Sequence, residues 1–258
     1  LINRTNLRDI IERNKSLILS VSKKVEEVES LGLSFKLTPI EAIKRYLENK
    51  ANLIMFPSDD LEYGGLVTYK HGRFYIHINT NQPKTYENFI WAHEFYHFYF
   101  ESKEIMNSEV KTFADGSFPS EEERCANLFS AELLINKHVL QETFNDISNT
   151  FKEDTLSNRV VRLIESFKLP YKCIVIKLVQ DGLISLDEAE EIIDYDYRNN
   201  LPGDFDHSLL TSSRSVSFDS VARLLNDDVV KENLSSSDLE KIESNYTTRM
   251  KQLGGTDR

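Results

Sequence analysis

The chain has 258 residues, enough for one large domain or two smaller ones with a real hydrophobic core. Hydrophobic residues make up 40% and charged residues 28%, and the net charge of −11 argues against wrapping nucleic acid while leaving room for a local basic site. Two cysteines outside any C-x-x-C pattern, Cys125 and Cys173, exclude a disulfide framework and suit a reducing cytoplasm.

No apolar run approaches the roughly 18–20 residues that cross a bilayer, so no membrane span is expected. There is no signal-peptide core at the start, and Leu1 in place of Met reads as a trimmed N-terminus. Residues 6–30 read as one long helix. Leu7, Ile11, Asn14, Ile18, Val21, Val25 and Val28 alternate at spacings of four and three, a heptad-like stripe with one polar member. Such a stripe either lies on the main domain or serves as an interaction surface through which the chain could oligomerise. Thr38-Pro39 then opens a second helix running to about Lys50, with Thr38 as N-cap and Pro39 in its first turn.

Three strand-like segments follow, Asn52–Phe56, Gly65–Tyr69 and Arg73–Ile78, the last two joined by a tight turn at His71-Gly72. His77 alternates with Ile76 and Ile78, which makes it a strand residue on the opposite sheet face rather than a ligand. The edge of such a sheet can bind an extended peptide by strand addition.

The next helix, from about Thr85 to Ser102, carries His93-Glu94-Phe95-Tyr96-His97, an H-E-x-x-H pentapeptide. Four residues are slightly more than one helical turn, so both imidazoles project from one face and can meet a single tetrahedral metal. Glu94 lies about 100° round the helix from His93, where its carboxylate reaches an activated water without being a ligand. This is the chemistry of a zinc peptidase. Residues 103–119, polar and holding Gly116 and Pro119, read as a loop over the active side.

Ser120 is a good N-cap for the helix that follows, with Glu123 at the capping-box position. Glu123, Ala126, Asn127, Ser130 and Leu134 share one face. Apart from Glu123 that face is small or weakly polar, so the motif helix can approach closely. Glu123 is then the third metal ligand, and Asn127 can orient a ligating imidazole. Glu121 and Glu122 read as a solvated first turn favoured by the helix dipole.

The two motifs together resemble the ImmA/IrrE family of metallopeptidases, whose pattern is A-H-E-x-x-H followed by E-x-x-A-N-x-F-[AS]-x-x-L-L. Here the matching residues are Ala92-His93-Glu94-Phe95-Tyr96-His97 and Glu123 through Leu134. The resemblance implies an α+β fold: a helix-rich, zincin-like domain with a small antiparallel sheet, flanked by helical N- and C-terminal segments. It implies His93, His97 and Glu123 as metal ligands and Glu94 as general base. The metal is zinc, with manganese accepted by similar ligands. It further implies a cytoplasmic endopeptidase that cleaves a specific protein, typically a transcriptional repressor of a phage or mobile element. Two positions depart from the pattern. Tyr96 stands where the family often has Gly, which would reshape the cleft, and Ile135-Asn136 replaces a common Met-Pro.

Beyond the second motif, residues 154–196 resemble the small helical unit that follows the peptidase core. Its helix-turn-helix rhythm has few basic residues, so direct nucleic-acid binding is not expected. Ser185 caps an acidic, solvated helix reaching Asp196. Residues from about Asn199 to Ser217 read as loop, and Phe218–Asn226 and Ser237–Gln252 as amphipathic helices, the second capped by Ser236 or Ser237. Gly254-Gly255 is expected to end the ordered part. The expected division is 1–34 for the N-terminal helix, 35–150 for the peptidase core, 151–198 for the small helical unit and 199–258 for the tail.

Tyr96, Tyr99 and Tyr75 are the tyrosines weighed as oxyanion donors, each equally a packing aromatic. His138, His207 and the two cysteines read as surface or packing residues. The alternative function is a regulatory binding protein with a zincin-like fold that acts by stoichiometric contact, with slow or absent turnover. An intact Glu94 favours the enzyme, because a structural site needs no base beside its ligands.

Overall fold

The computed structural model describes residues 2–107 and 120–254. The expected helix over 6–30 is two helices, α1 (Leu7–Asn14) and α2 (Ile18–Glu29). Between them Lys15 N–H bonds to Glu12 O and Leu17 N–H to Asn14 O, a turn tightened to three-residue spacing. The tightening shifts the phase of the stripe. Leu17 turns inward at 8% exposure and Ile18 outward at 39%. The break falls at the stripe's polar member, Asn14, which is buried. Leu7, Val21, Val25 and Val28 are spent inside the chain, and α2 packs on α7 (Glu121–Leu134).

A short helix that the sequence did not announce, α3 (Leu33–Leu37), precedes α4 (Pro39–Glu48). Pro39 stands in the first turn of α4 as expected. Thr38 occupies the N-cap position, but its hydroxyl donates back to Ser34 O and does not cap.

The strands β1 (Asn52–Phe56), β2 (Gly65–Lys70) and β3 (Arg73–Asn79) form one sheet in the order β1-β3-β2. β2 and β3 are an antiparallel hairpin, closed by His71 and Gly72 at φ 50° and 77°, the backbone of a type I′ turn. β1 joins β3 in parallel, so the sheet is mixed rather than antiparallel. The reason is the connection: the chain between β1 and β2 returns to start the hairpin on the far side of β3.

α5 (Lys84–Phe100) is apolar nearly all round and is buried accordingly. It packs between the sheet, α4 and α7. Residues 103–107, expected in a loop, belong to α6 (Ser102–Asn107); the rest of that expected loop, 108–119, lies outside the described residues. α8 (Lys137–Thr150) was not foreseen, although Asn136, the departure from Met-Pro, accepts from His138 N–H and Val139 N–H as its N-cap. α9 (Leu156–Phe167), α10 (Tyr171–Gln180) and α11 (Leu186–Ile192) make the helical unit, and Ser185 and Glu188 form a full capping box. α11 is tied to α1 by Arg8, which bridges Asp187 and Glu190.

The tail returns to the core. Two short 3-10 turns (Tyr197–Asn199 and His207–Leu210) lead into a strap in which Ser217 exchanges both backbone bonds with Met55 of β1. Lys84 N–H bonds to Thr211 O and Arg214 N–H to Thr80 O along the same strap. Its helices α12 (Asp219–Asn226), α13 (Asp228–Asn233) and α14 (Ser236–Gln252) follow, with Ser235 rather than Ser236 or Ser237 as the cap of α14. Gly255 lies outside the described residues. No helix among the described residues is long and apolar enough to cross a membrane.

Candidate metal centre

α5 and α7 cross closely because the face α7 offers is small: Ala126 and Ser130 are fully buried, and Ser130 tucks its hydroxyl onto Ala126 O. That approach brings Glu123 to the two histidines. The Nε2 atoms of His93 and His97 are 3.1 Å apart. The Glu123 oxygens lie 3.2 Å from His93 Nε2 and 3.3 Å from His97 Nε2. Ligand atoms about 2.0–2.1 Å from one tetrahedral ion should be about 3.3 Å from each other, and all three separations, the two to Glu123 through different carboxylate oxygens, are close to that size. Among the described residues these are the three side chains grouped closely enough to hold an ion.

The far sides of the imidazoles are also engaged. His93 Nδ1 is 3.1 Å from Asn127 Oδ1, and His97 Nδ1 is 2.7 Å from Glu101 Oε2. Both partners are acceptors for a ring N–H, so they direct each proton to Nδ1 and leave the Nε2 lone pair facing inward. Two such lone pairs and a carboxylate converge, which is a donor set that calls for a cation.

In the absence of a cation a proton takes that place on His97. Burial works against a charge on His97, yet Glu101, Glu123 and Glu94 together raise its pKa to about 10. Burial likewise opposes the Glu123 anion, and the two histidines overcome it, drawing its pKa down to about 2. Glu94 is buried at 4% exposure and its pKa is raised by that burial, with the histidines acting in the opposite sense. β2 runs directly over this carboxylate. A Cβ on Gly65 would come within 2.8 Å of Glu94 Oε1, and one on Gly64 within 2.3 Å of Ile90 Cδ1. The two glycines therefore let the strand lie on the motif helix.

Of the residues anticipated at the site, His93, His97, Glu94 and Glu123 are brought together, and Asn127 stands behind His93 as expected. Ser120 accepts from Glu123 N–H, but the return half of the capping box is missing because the Glu123 side chain is turned to the histidines. Tyr96 does not line the cleft. It is 2% exposed, its hydroxyl accepts from Lys24 Nζ of α2 at 2.5 Å, and its ring packs on Phe129. Tyr99 stacks on Phe95, and Tyr75 pairs with Thr68 and Asn52 within the sheet.

Glu101, Gly65 and Tyr86 were missed. Glu101 is one turn after His97, a signal that could have been read from helical spacing. Tyr86 is two turns before His93 on α5; burial raises its pKa and the Glu123 charge adds to the effect, so its hydroxyl lies in the field of the site. Only the pairing of β2 over α5 reveals Gly65. His77 is where its alternation put it, on the other sheet face, stacked on Phe56 and bonded to Tyr63. Burial lowers its pKa to about 4, as for a neutral packing histidine.

Comparison with curated proteins and with solved structures returned no match. At the level of families, residues 48–178 match the IrrE N-terminal-like domain of the M78 peptidases. That match runs from the end of α4 to α10 and takes in both motifs, all three ligand-type side chains and the sheet above them. It is a family of metallopeptidases, and its chemistry needs the kind of donor set that α5 and α7 build. With about half of its length matched, including the whole candidate centre, the chain belongs to the IrrE N-terminal-like family of M78 peptidases.

Proposed function

We propose that the protein is a zinc-dependent endopeptidase that cleaves a specific cytoplasmic protein, a transcriptional repressor of a phage or mobile element. The observation that carries the reading is the 3.1–3.3 Å triangle of His93 Nε2, His97 Nε2 and Glu123, with Glu94 buried beside it. His93, His97 and Glu123 would hold the metal, with manganese accepted by the same set. When bound, such a metal polarises a carbonyl and acidifies water.

Glu94 takes a proton from the water that attacks the scissile carbonyl carbon and returns it to the amine nitrogen as the C–N bond breaks. Its raised pKa suits both halves of that transfer. Asn127 and Glu101 hold the imidazoles in the required tautomer. Tyr86, on the same helix two turns before His93, is a candidate donor to the oxyanion, and Tyr86→Phe tests it. An extended substrate fits the outer edge of β2, because the β1 edge is taken by Ser217 and β2 has no strand partner on that side among the described residues.

Elemental analysis of wild type and Glu123→Gln comes first, with one zinc per chain expected in wild type and a strong loss in the variant. Cleavage of candidate repressors should then fall by roughly 10²–10⁴-fold in Glu94→Gln with zinc retained. A wild type that binds no metal, even after readdition, overturns the centre. Zinc binding with repressor capture and cleavage no better than Glu94→Gln would favour stoichiometric contact instead. Self-association, if it occurs, would use Leu19, Leu33 and Leu37, exposed at 70%, 68% and 70%, rather than the buried stripe.

A further inference from the structure

Away from the metal centre, a groove of about 570 Å³ opens between the end of α4, the tip of the β2–β3 hairpin, α6 and α12. It is an open surface groove rather than an enclosed cavity. Its charge is opposite to the chain's. Lys50, Arg73 and Arg223 line it, and Glu48 is the one acidic residue among the described lining residues, in a protein of net charge −11.

These cations are uncompensated: among the described residues none of the three makes an ion pair with a carboxylate. Lys50 Nζ lies over the Tyr46 ring, and Arg223 donates to the neutral Glu48 carbonyl at 3.4 Å. That bond also covers a carbonyl at the C-terminus of α4, whose dipole would otherwise repel an anion. Lys70, paired with Arg73 in the hairpin register, adds a further cation at the tip. Three cations without a carboxylate partner among the described residues line one groove of an acidic protein, which makes it a favourable place for a small anion.

The same groove has an aromatic wall. Tyr69 and Phe74 face each other across the hairpin with ring centroids 4.9 Å apart, and Met106 of α6 completes the apolar side. Both rings are only partly buried. Phe74 is fixed from behind by an edge-on contact with Phe98 of α5. Gly72 at the tip carries no side chain that would close the mouth. Cations on one side and fixed aromatic faces on the other match a ligand with a phosphate at one end and a planar ring at the other.

We propose that this groove is a binding site for a nucleotide, held by its phosphate at Lys50, Arg73 and Arg223 and by its base against Tyr69. The inference stands apart from the peptidase reading, since no residue of the groove belongs to the metal centre.

The test is isothermal titration of the full chain with AMP, GMP, CMP and UMP, and with adenosine and inorganic phosphate as separate halves of the ligand. At least one nucleoside monophosphate should bind saturably and at least about tenfold more tightly than inorganic phosphate or adenosine. Arg73→Ala and Arg223→Ala should each weaken it by about tenfold or more. Tyr69→Ala should weaken the nucleotide and leave phosphate binding unchanged. All three side chains sit at the surface, and an unaltered thermal midpoint and zinc content would show that the variants fold. Absence of saturable binding by every nucleotide overturns the site. Equal affinity for inorganic phosphate and nucleotide overturns the role of Tyr69, and binding indifferent to all three substitutions places the ligand elsewhere.

Discussion

Two charged clusters are built into the helical half of this protein, and they differ in one respect. Around Lys177 of α10, Glu132 Oε2 lies at 2.6 Å and Asp181 Oδ1 at 3.0 Å from a Lys177 side chain that is 2% exposed. The cation is covalently part of the chain, and through Glu132 it holds α10 to α7. Around His93 and His97, by contrast, Glu94, Glu101 and Glu123 bring three carboxylates, and the one positive charge is a proton on His97 that a metal can displace. A buried site with acceptors in excess is costly unless something positive enters it. The contrast separates a cluster that stabilises a fold from one that requires a ligand.

Removing the built-in cation should give the largest effect. Lys177→Ala leaves Asp181, which is 7% exposed, with an unpaired charge, and should cost about 3–5 kcal/mol in chemical denaturation. Zinc stoichiometry of the fraction that folds should stay at wild type. If Lys177→Ala instead emptied the metal centre without destabilising the chain, the two clusters would not be independent and the comparison would fail.

Glu101→Gln perturbs the other cluster at one remove. The amide can still accept from His97 Nδ1 but no longer carries charge, so zinc affinity measured by chelator competition should fall by about 10–100-fold with little change in the thermal midpoint of the metal-free protein. A large loss of stability with unchanged affinity would make Glu101 a packing residue. The last effect, of up to about tenfold for each unit, is one of pH. His97 holds a proton up to a pKa of about 10, and a metal taking its Nε2 must displace that proton. Zinc affinity should therefore fall as pH falls, by up to about tenfold per unit over about two units around neutrality. A flat profile, after correction for the chelator, would mean that no proton is displaced.

Much of the half that carries the candidate metal centre could be read in advance, because its signals are short-range. His93 and His97 share a helix face by spacing alone, and Ser120 and the small face of α7 lie within one turn of Glu123. The tight turn at His71-Gly72 and the side of the sheet taken by His77 follow from local alternation. What escaped prediction depends on contacts between distant parts. The break at Asn14 needed the position of α2 on α7, and Tyr96 was expected at the cleft because nothing near it in sequence indicates Lys24. Gly65 has no local signal at all, since its lack of a side chain matters only where Glu94 lies beneath it.

The sequence by itself determined the ligand-type side chains, the helices that carry them and the glutamate beside them, because helical periodicity converts spacing directly into direction. Only the tertiary structure decided that the sheet is mixed, that β1's edge is closed by Ser217 while β2 has no second strand partner among the described residues, and that Lys50, Arg73 and Arg223 line one groove. Those outcomes depend on which segments pack together across 100 residues or more, where side-chain periodicity carries no information and the balance of burial and backbone pairing does.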